Sequence, residues 1–199
     1  MLTIIMGKTC SGKNAVVSEL KKRGWSQIVT YTSRPKRRGE KNGREYWYIS
    51  EEDFSNKINS GYFAEWKAYR VGNQTWYYGS PSEEIIESSL DDKNHVIILT
   101  PQGVEDTLGF LSKYISNYQI NIIYLYANHS TILKRLQKRK DKNDSIERRI
   151  KADDKDFENA VNIANKIIYN NDSDSVSDVA DKIIKSAERK IFTQIQKYI

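Results

Sequence analysis

The sequence holds one cysteine, Cys10, and two histidines, so no internal disulfide can form and a structural zinc site lacks ligands. No apolar run approaches the roughly 18 residues a membrane span needs. The opening stretch Met1–Met6 runs straight into a glycine, without the basic start and longer apolar core of a secretory signal. These absences lead to the expectation of a cytoplasmic protein with no membrane association. Apolar residues are also scarce, at 38%, but aromatics reach 11%, with 13 tyrosines, and restore buried area. A chain of 199 residues has the length for one α/β domain with a proper core and is short for two.

The formal net charge of +6 suggests an anionic partner, and its distribution says more than its total. Residues 34–44 hold Arg34, Lys36, Arg37, Arg38, Lys41 and Arg44 against Glu40 alone. Residues 134–151 hold nine Lys and Arg side chains, among them Arg135, Arg139 and Arg149, against Asp141, Asp144 and Glu147. Such clusters suit a nucleic acid or a polyphosphate ligand, and on charge alone a solvated face fits equally well. A nucleic-acid role rests on charge only and is not expected.

Apolar periodicity predicts a strand at 2–6, a helix over about 13–23, a short strand at 27–31 and a basic, turn-rich stretch from Arg34 to Arg44. A strand at 46–49, a short helix across 51–60 and aromatic strands at 62–69 and 75–78 follow. Ser80-Pro81-Ser82-Glu83 reads as a capping box with proline at the first helical position. His95–Thr100 and Ile120–Ala127 are buried-strand runs, each followed by a helix. A charged helix is expected over 144–161, a strand at 166–169 and an amphipathic helix from Val176. The alternation predicts an α/β fold with a parallel sheet covered on both faces. The β-rich insert between 32 and 80 breaks that rhythm and should stand over the sheet as a subdomain.

Gly7-Lys8-Thr9-Cys10-Ser11-Gly12-Lys13 has the G-x-x-x-x-G-K spacing between a predicted strand and a predicted helix. Glycines let successive amides turn inward around a phosphate, the helix N-terminus adds its positive end, and Lys13 adds a full charge. The bland alternative is a glycine-rich turn with no ligand. The residue after Lys13 is Asn14, where the motif normally has a Ser or Thr hydroxyl for Mg²⁺. An amide oxygen can also ligate a hard cation, which makes Asn14 the candidate metal ligand.

The segment Thr30–Tyr46, the stretch Phe63-Ala64-Glu65-Trp66 and the stretch Tyr77-Tyr78-Gly79-Ser80 together resemble the guanylate kinase family. The likeness runs from about residue 2 to 188, with three separated motifs in order. It implies a three-layer P-loop kinase fold with a central parallel sheet, a β-rich nucleoside-monophosphate subdomain (32–80) and a helical lid (138–153). The core would then be 1–31, 81–137 and 154–199. It implies ATP and GMP or dGMP as substrates, with Mg²⁺. Gly7, Lys8, Thr9, Cys10, Ser11, Gly12, Lys13, Asn14, Arg135 and Arg139 would bind ATP. Thr30, Arg34, Arg37, Tyr46, Glu65, Tyr78 and Ser80 would bind GMP. Lys13, Arg37, Arg139 and Arg149 would act on the transferring phosphoryl.

The residue chemistry agrees with these roles. Guanine presents two adjacent donors, N1–H and the N2 amine, and a carboxylate offers only acceptors, so Glu65 suits G over A. Taken alone, Glu65 would be a surface glutamate at a strand edge. Two departures concern the metal: besides Asn14, the two aspartates the family usually carries before its Gln-Gly turn are absent from Ile97-Ile98-Leu99-Thr100-Pro101-Gln102-Gly103. Two other readings stay open, a P-loop kinase of the ribose-bisphosphate type and a guanylate-kinase-like binding domain.

Overall fold

The computed structural model describes the backbone of residues 1–139 and 146–195 and the side chains of residues 1–138 and 150–188. β1 (Leu2–Met6) is buried at every position, as the centre of a parallel sheet covered on both faces must be. After α1 (Lys13–Lys22) come the two-residue strands β2 (Ser26–Gln27) and β3 (Tyr31–Thr32). The run expected as one strand over 27–31 is therefore divided. Its first part joins the large sheet, its last part joins a second sheet, and the buried Ile28 and Val29 carry the chain across.

The insert comprises β4 (Trp47–Tyr48), α2 (Glu51–Asn59), β5 (Phe63–Val71) and β6 (Gln74–Pro81). Ser50 caps α2 by accepting the Asp53 amide at 3.0 Å. Its four strands lie in the order β4-β3-β6-β5. Phe54 stacks on Phe63 at 4.6 Å and lies 5.5 Å from Tyr77, forming a small aromatic core. Gly79 is the floor of that core, because a Cβ there would meet the Phe54 ring at 2.9 Å and Phe63 at 3.0 Å. Tyr77 faces these rings while Tyr78 packs on Tyr46 at 5.7 Å, the alternation a strand imposes.

The capping box expected at Ser80 does not form. β6 runs on through Pro81, and α3 (Ser82–Leu90) starts without a side-chain cap. The Ser80 hydroxyl donates instead to Glu65 on the paired strand, and Ser82 donates to the Tyr62 carbonyl.

β7 (His95–Ile98) leads to Thr100, whose Oγ1 accepts the Gly103 amide at 3.1 Å and caps α4 (Pro101–Tyr114). β8 (Ile120–Tyr126), α5 (His129–Arg139) and α6 (Ile146–Asp156) follow. The expected charged helix stops at 156, Phe157 turns inward against Tyr124, and α7 (Ala160–Ile163) is a separate turn; Asp144 and Ser145 lie outside the described residues. β9 (Lys166–Tyr169) and α8 (Val176–Ile195) complete the chain as expected.

The large sheet is wholly parallel, in the order β2-β7-β1-β8-β9. Ile5 joins Val16, Val17 and Leu20 of α1 and Val179 and Ile183 of α8 on one face. Leu2, Ile4 and Met6 join Ile85 of α3 and Val104 and Leu111 of α4 on the other. This is the expected three-layer arrangement. Among the described residues no helix is long and apolar enough to cross a membrane.

Candidate active site

The Gly7–Lys13 turn leaves the C-terminal end of β1 and opens α1, whose first turn carries no acid. Gly12 has φ 97°, and a Cβ there would strike Asn170 Nδ2 at 2.2 Å. Only glycine lets the loop lie against β9's end, where Asn170 Nδ2 donates to the Ser11 carbonyl at 2.7 Å. Lys13 Nζ donates to the carbonyls of Gly7 (2.6 Å) and Lys8 (2.9 Å), folding the ammonium back over the loop.

α6 reaches across this loop. Asp153 Oδ2 accepts the Thr9 amide at 2.6 Å, with Thr9 Oγ1 at 3.4 Å from Oδ1, and Lys8 Nζ meets Asp154 at 2.5 Å. Burial raises the Asp153 carboxyl above its ordinary range, and the Thr9 amide and nearby Lys13 and Lys8 act against that rise.

A cleft of about 360 Å³ runs from the loop to the insert. Gly7, Thr9 and Lys13 lie at one end; Thr30, Arg37, Tyr46, Glu65 and Tyr78 line the other. Glu65 accepts from Ser80 Oγ at 2.5 Å and lies against the first turn of α4, its Oε2 3.4 Å from where a Gly103 Cβ would stand. Burial pushes its carboxyl up to about 7, against the smaller opposing effect of the Ser80 hydrogen bond. Burial likewise pushes the Tyr46 hydroxyl up to about 12 and raises that of Tyr78.

Arg34 sits beneath this end at 3% exposure. Its Nη2 donates to both oxygens of Glu40, at 3.0 and 2.9 Å, its Nη1 donates to Pro35 at 2.7 Å, and its guanidinium lies 5.6 Å from the Tyr46 ring. Burial alone would raise the Glu40 carboxyl; donors from the Arg37 amide, Tyr48 and Arg34 hold it below its ordinary value.

The structure thus brings together most of the residues expected from sequence. Arg135 reaches the outer side of the phosphate loop, donating to the Cys10 carbonyl at 3.3 Å and pairing with Asp172 at 3.7 Å, without lining the cleft itself. Asn14 is exposed on α1. The side chains of Arg139 and Arg149 lie outside the described residues. Sequence reading missed Tyr69, Lys67, Arg70 and Trp76, which line the cleft from the β5–β6 hairpin, and Asp153 from α6.

A family model described as guanylate kinase matches residues 2–187. The chain belongs to the guanylate kinase family. The guanylate kinase of Prochlorococcus marinus is 30% identical over 189 residues, covering 93% of this chain and 97% of that protein. The Clostridium tetani guanylate kinase is 31% identical over 197 residues, covering 95% and 86%. The crystal structure of guanylate kinase from Anaplasma phagocytophilum superposes with a TM-score of 0.69 at 17% identity over 96% of this chain and 85% of that one, which speaks for the fold. As a guanylate kinase family member with this loop, the chain is an ATP-using nucleotide kinase, and the cleft is its candidate active site.

Proposed function

We propose that this kinase transfers the γ-phosphoryl of ATP to GMP or dGMP in the cytoplasm. The observation that carries the reading is a half-buried carboxylate, Glu65, in the same cleft as the phosphate loop. In its ionised form that carboxylate would pair with the N1–H and N2 donors of guanine, and adenine would set a lone pair against it. Ser80 holds one Glu65 oxygen in place, and the other, beside the first turn of α4, would take a donor of the base.

The acceptor phosphate, with a second pKa near 6, is already mostly dianionic at neutral pH, so no general base is needed. Positioning and charge neutralisation remain. Arg37, Tyr46 and Tyr78 line the place for the GMP phosphate, with Arg34 behind them. Thr30 stands beside the base. The loop amides of residues 7–14 and the Lys13 ammonium hold ATP, Arg135 and Arg139 are assigned to the ATP side, and Arg139 and Arg149 to the transferring phosphoryl. We divide the chain into a core (1–31, 81–137, 154–199), a GMP subdomain (32–80) and a lid (138–153).

The donors around the loop fit a hard divalent cation. Among the described residues no group of three or more acidic, His or Cys side chains stands ready-made. Mg²⁺, however, takes one or two carboxylates beside phosphates and waters. Asp153, Asp156 and Thr100 line the cleft and Asn14 stands in the first turn of α1, all oxygen donors. Bound with ATP, Mg²⁺ would neutralise charge on the phosphate oxygens.

A coupled assay of the purified chain with ATP, Mg²⁺ and each of GMP, dGMP, AMP, CMP and UMP tests the proposal. Turnover of GMP and dGMP well above the other three is expected; equal turnover of AMP and GMP would refute it.

A further inference from the structure

Asp153 is the acid in the cleft to which phosphoryl transfer gives no obvious task. It stands on α6, yet its carboxylate lies in the phosphate loop, accepting the Thr9 amide at 2.6 Å with the Thr9 hydroxyl at 3.4 Å. A nest of inward amides attracts an anion, and here the chain supplies its own. The next residue, Asp154, ties down Lys8, so two consecutive acids bind two consecutive loop residues.

ATP brings phosphate oxygens to the same donors. One amide cannot serve both anions, so the carboxylate must yield Thr9 when the triphosphate enters. It then remains beside like charge in a partly buried place, a repulsive arrangement unless a cation lies between them. The strand end across the loop contributes Ile98, Leu99 and Thr100 to the cleft and no carboxylate. Asp156, one turn further along α6, is exposed and acts on the Tyr69 hydroxyl. Asp153 is therefore the cleft-lining acid already touching the loop.

We propose that Asp153 has two seats. In the free protein its carboxylate is the internal anion of the phosphate loop. With ATP bound, it becomes the protein carboxylate that ligates the divalent cation carried by the triphosphate. ATP stripped of metal must displace this anion and then face it; the metal complex gains a ligand instead. The inference rests on the reading that ATP occupies this loop.

Direct calorimetric titration of ATP into the whole chain, in excess Mg²⁺ and in excess chelator, tests it without relying on turnover. Asp153→Asn is the variant, since the amide keeps the shape and loses the charge. In chelator the variant should bind ATP about tenfold more tightly than the native chain, having lost its internal competitor. The gain that Mg²⁺ brings should shrink by about tenfold or more, and Mn²⁺ should bind the protein–ATP complex more weakly by a similar factor. Unchanged chelator affinity, an unchanged metal gain, or equal weakening in both media would each overturn the proposal. Asp153→Ser repeats the comparison should thermal melting show the first variant unfolded. Absence of ATP binding by the native chain would instead contradict the reading of the loop.

Discussion

Ser80 and Glu65 are register partners on the antiparallel strands β6 and β5, and the Ser80 hydroxyl donates to the Glu65 carboxylate at 2.5 Å. The pair fixes one carboxylate oxygen and keeps the acid in the buried end of the cleft. Glu65→Gln replaces one acceptor with an amide donor that opposes guanine's own donors. We expect kcat/KM for GMP to fall by about 100-fold while that for AMP stays within a few-fold, measured by steady-state kinetics. A GMP loss matched by an equal AMP loss would mean general damage rather than a lost base contact.

Glu65 also sets a pH dependence. Its carboxyl is raised from 4.5 to about 7, so below neutrality it is protonated and offers guanine a donor where an acceptor is needed. GMP affinity should therefore weaken as pH falls through 7, by up to about tenfold per unit, and calorimetry with Glu65→Gln, which keeps only the phosphate's own titration, separates the two. The stability sign is opposite. A carboxyl whose folded pKa is raised favours the folded state fully below 4.5 and loses that contribution as pH rises through about 7. Glu65→Gln should thus raise Tm above neutral pH and leave it little changed in acid.

Arg34 and Arg37 should separate by readout although both belong to the GMP grip. Arg34 is paired through both oxygens of Glu40, and the two side chains are 3% and 13% exposed. Arg34→Ala strands that carboxylate and should destabilise the fold by about 3–5 kcal/mol in denaturant titration. Arg37 lines the cleft, and its backbone amide donates to Glu40, a bond that alanine keeps. Arg37→Ala should cost less stability than Arg34→Ala and raise KM for GMP by about tenfold or more.

The layers were legible because the buried strands at 2–6, 95–98 and 120–126 are short continuous apolar runs separated by helical patterns. The phosphate loop was legible because its determinants lie within seven consecutive positions, Gly7 to Lys13. Glu65 could be singled out only through the resemblance of its neighbours to a known family, since its burial depends on α4 packing beside it. Ser80 misled because a local S-x-x-E signal competes with a cross-strand partner that no local window contains. The 27–31 run misled because one apolar stretch served two sheets. Asp153 left no signal: an acid on a charged helix reads as a solvated face, and its partner Thr9 is 144 positions away. The pairing of Arg34 with Glu40 was hidden in the same way, by a stretch that reads as net positive charge.

The most direct measurement is a crystal structure of the chain with GMP. The account requires the guanine edge within hydrogen-bonding reach of Glu65 and Ser80, with the phosphate among Arg37, Tyr46 and Tyr78 and facing the Gly7–Lys13 loop. GMP bound elsewhere, or bound there with its base turned away from Glu65, would contradict it.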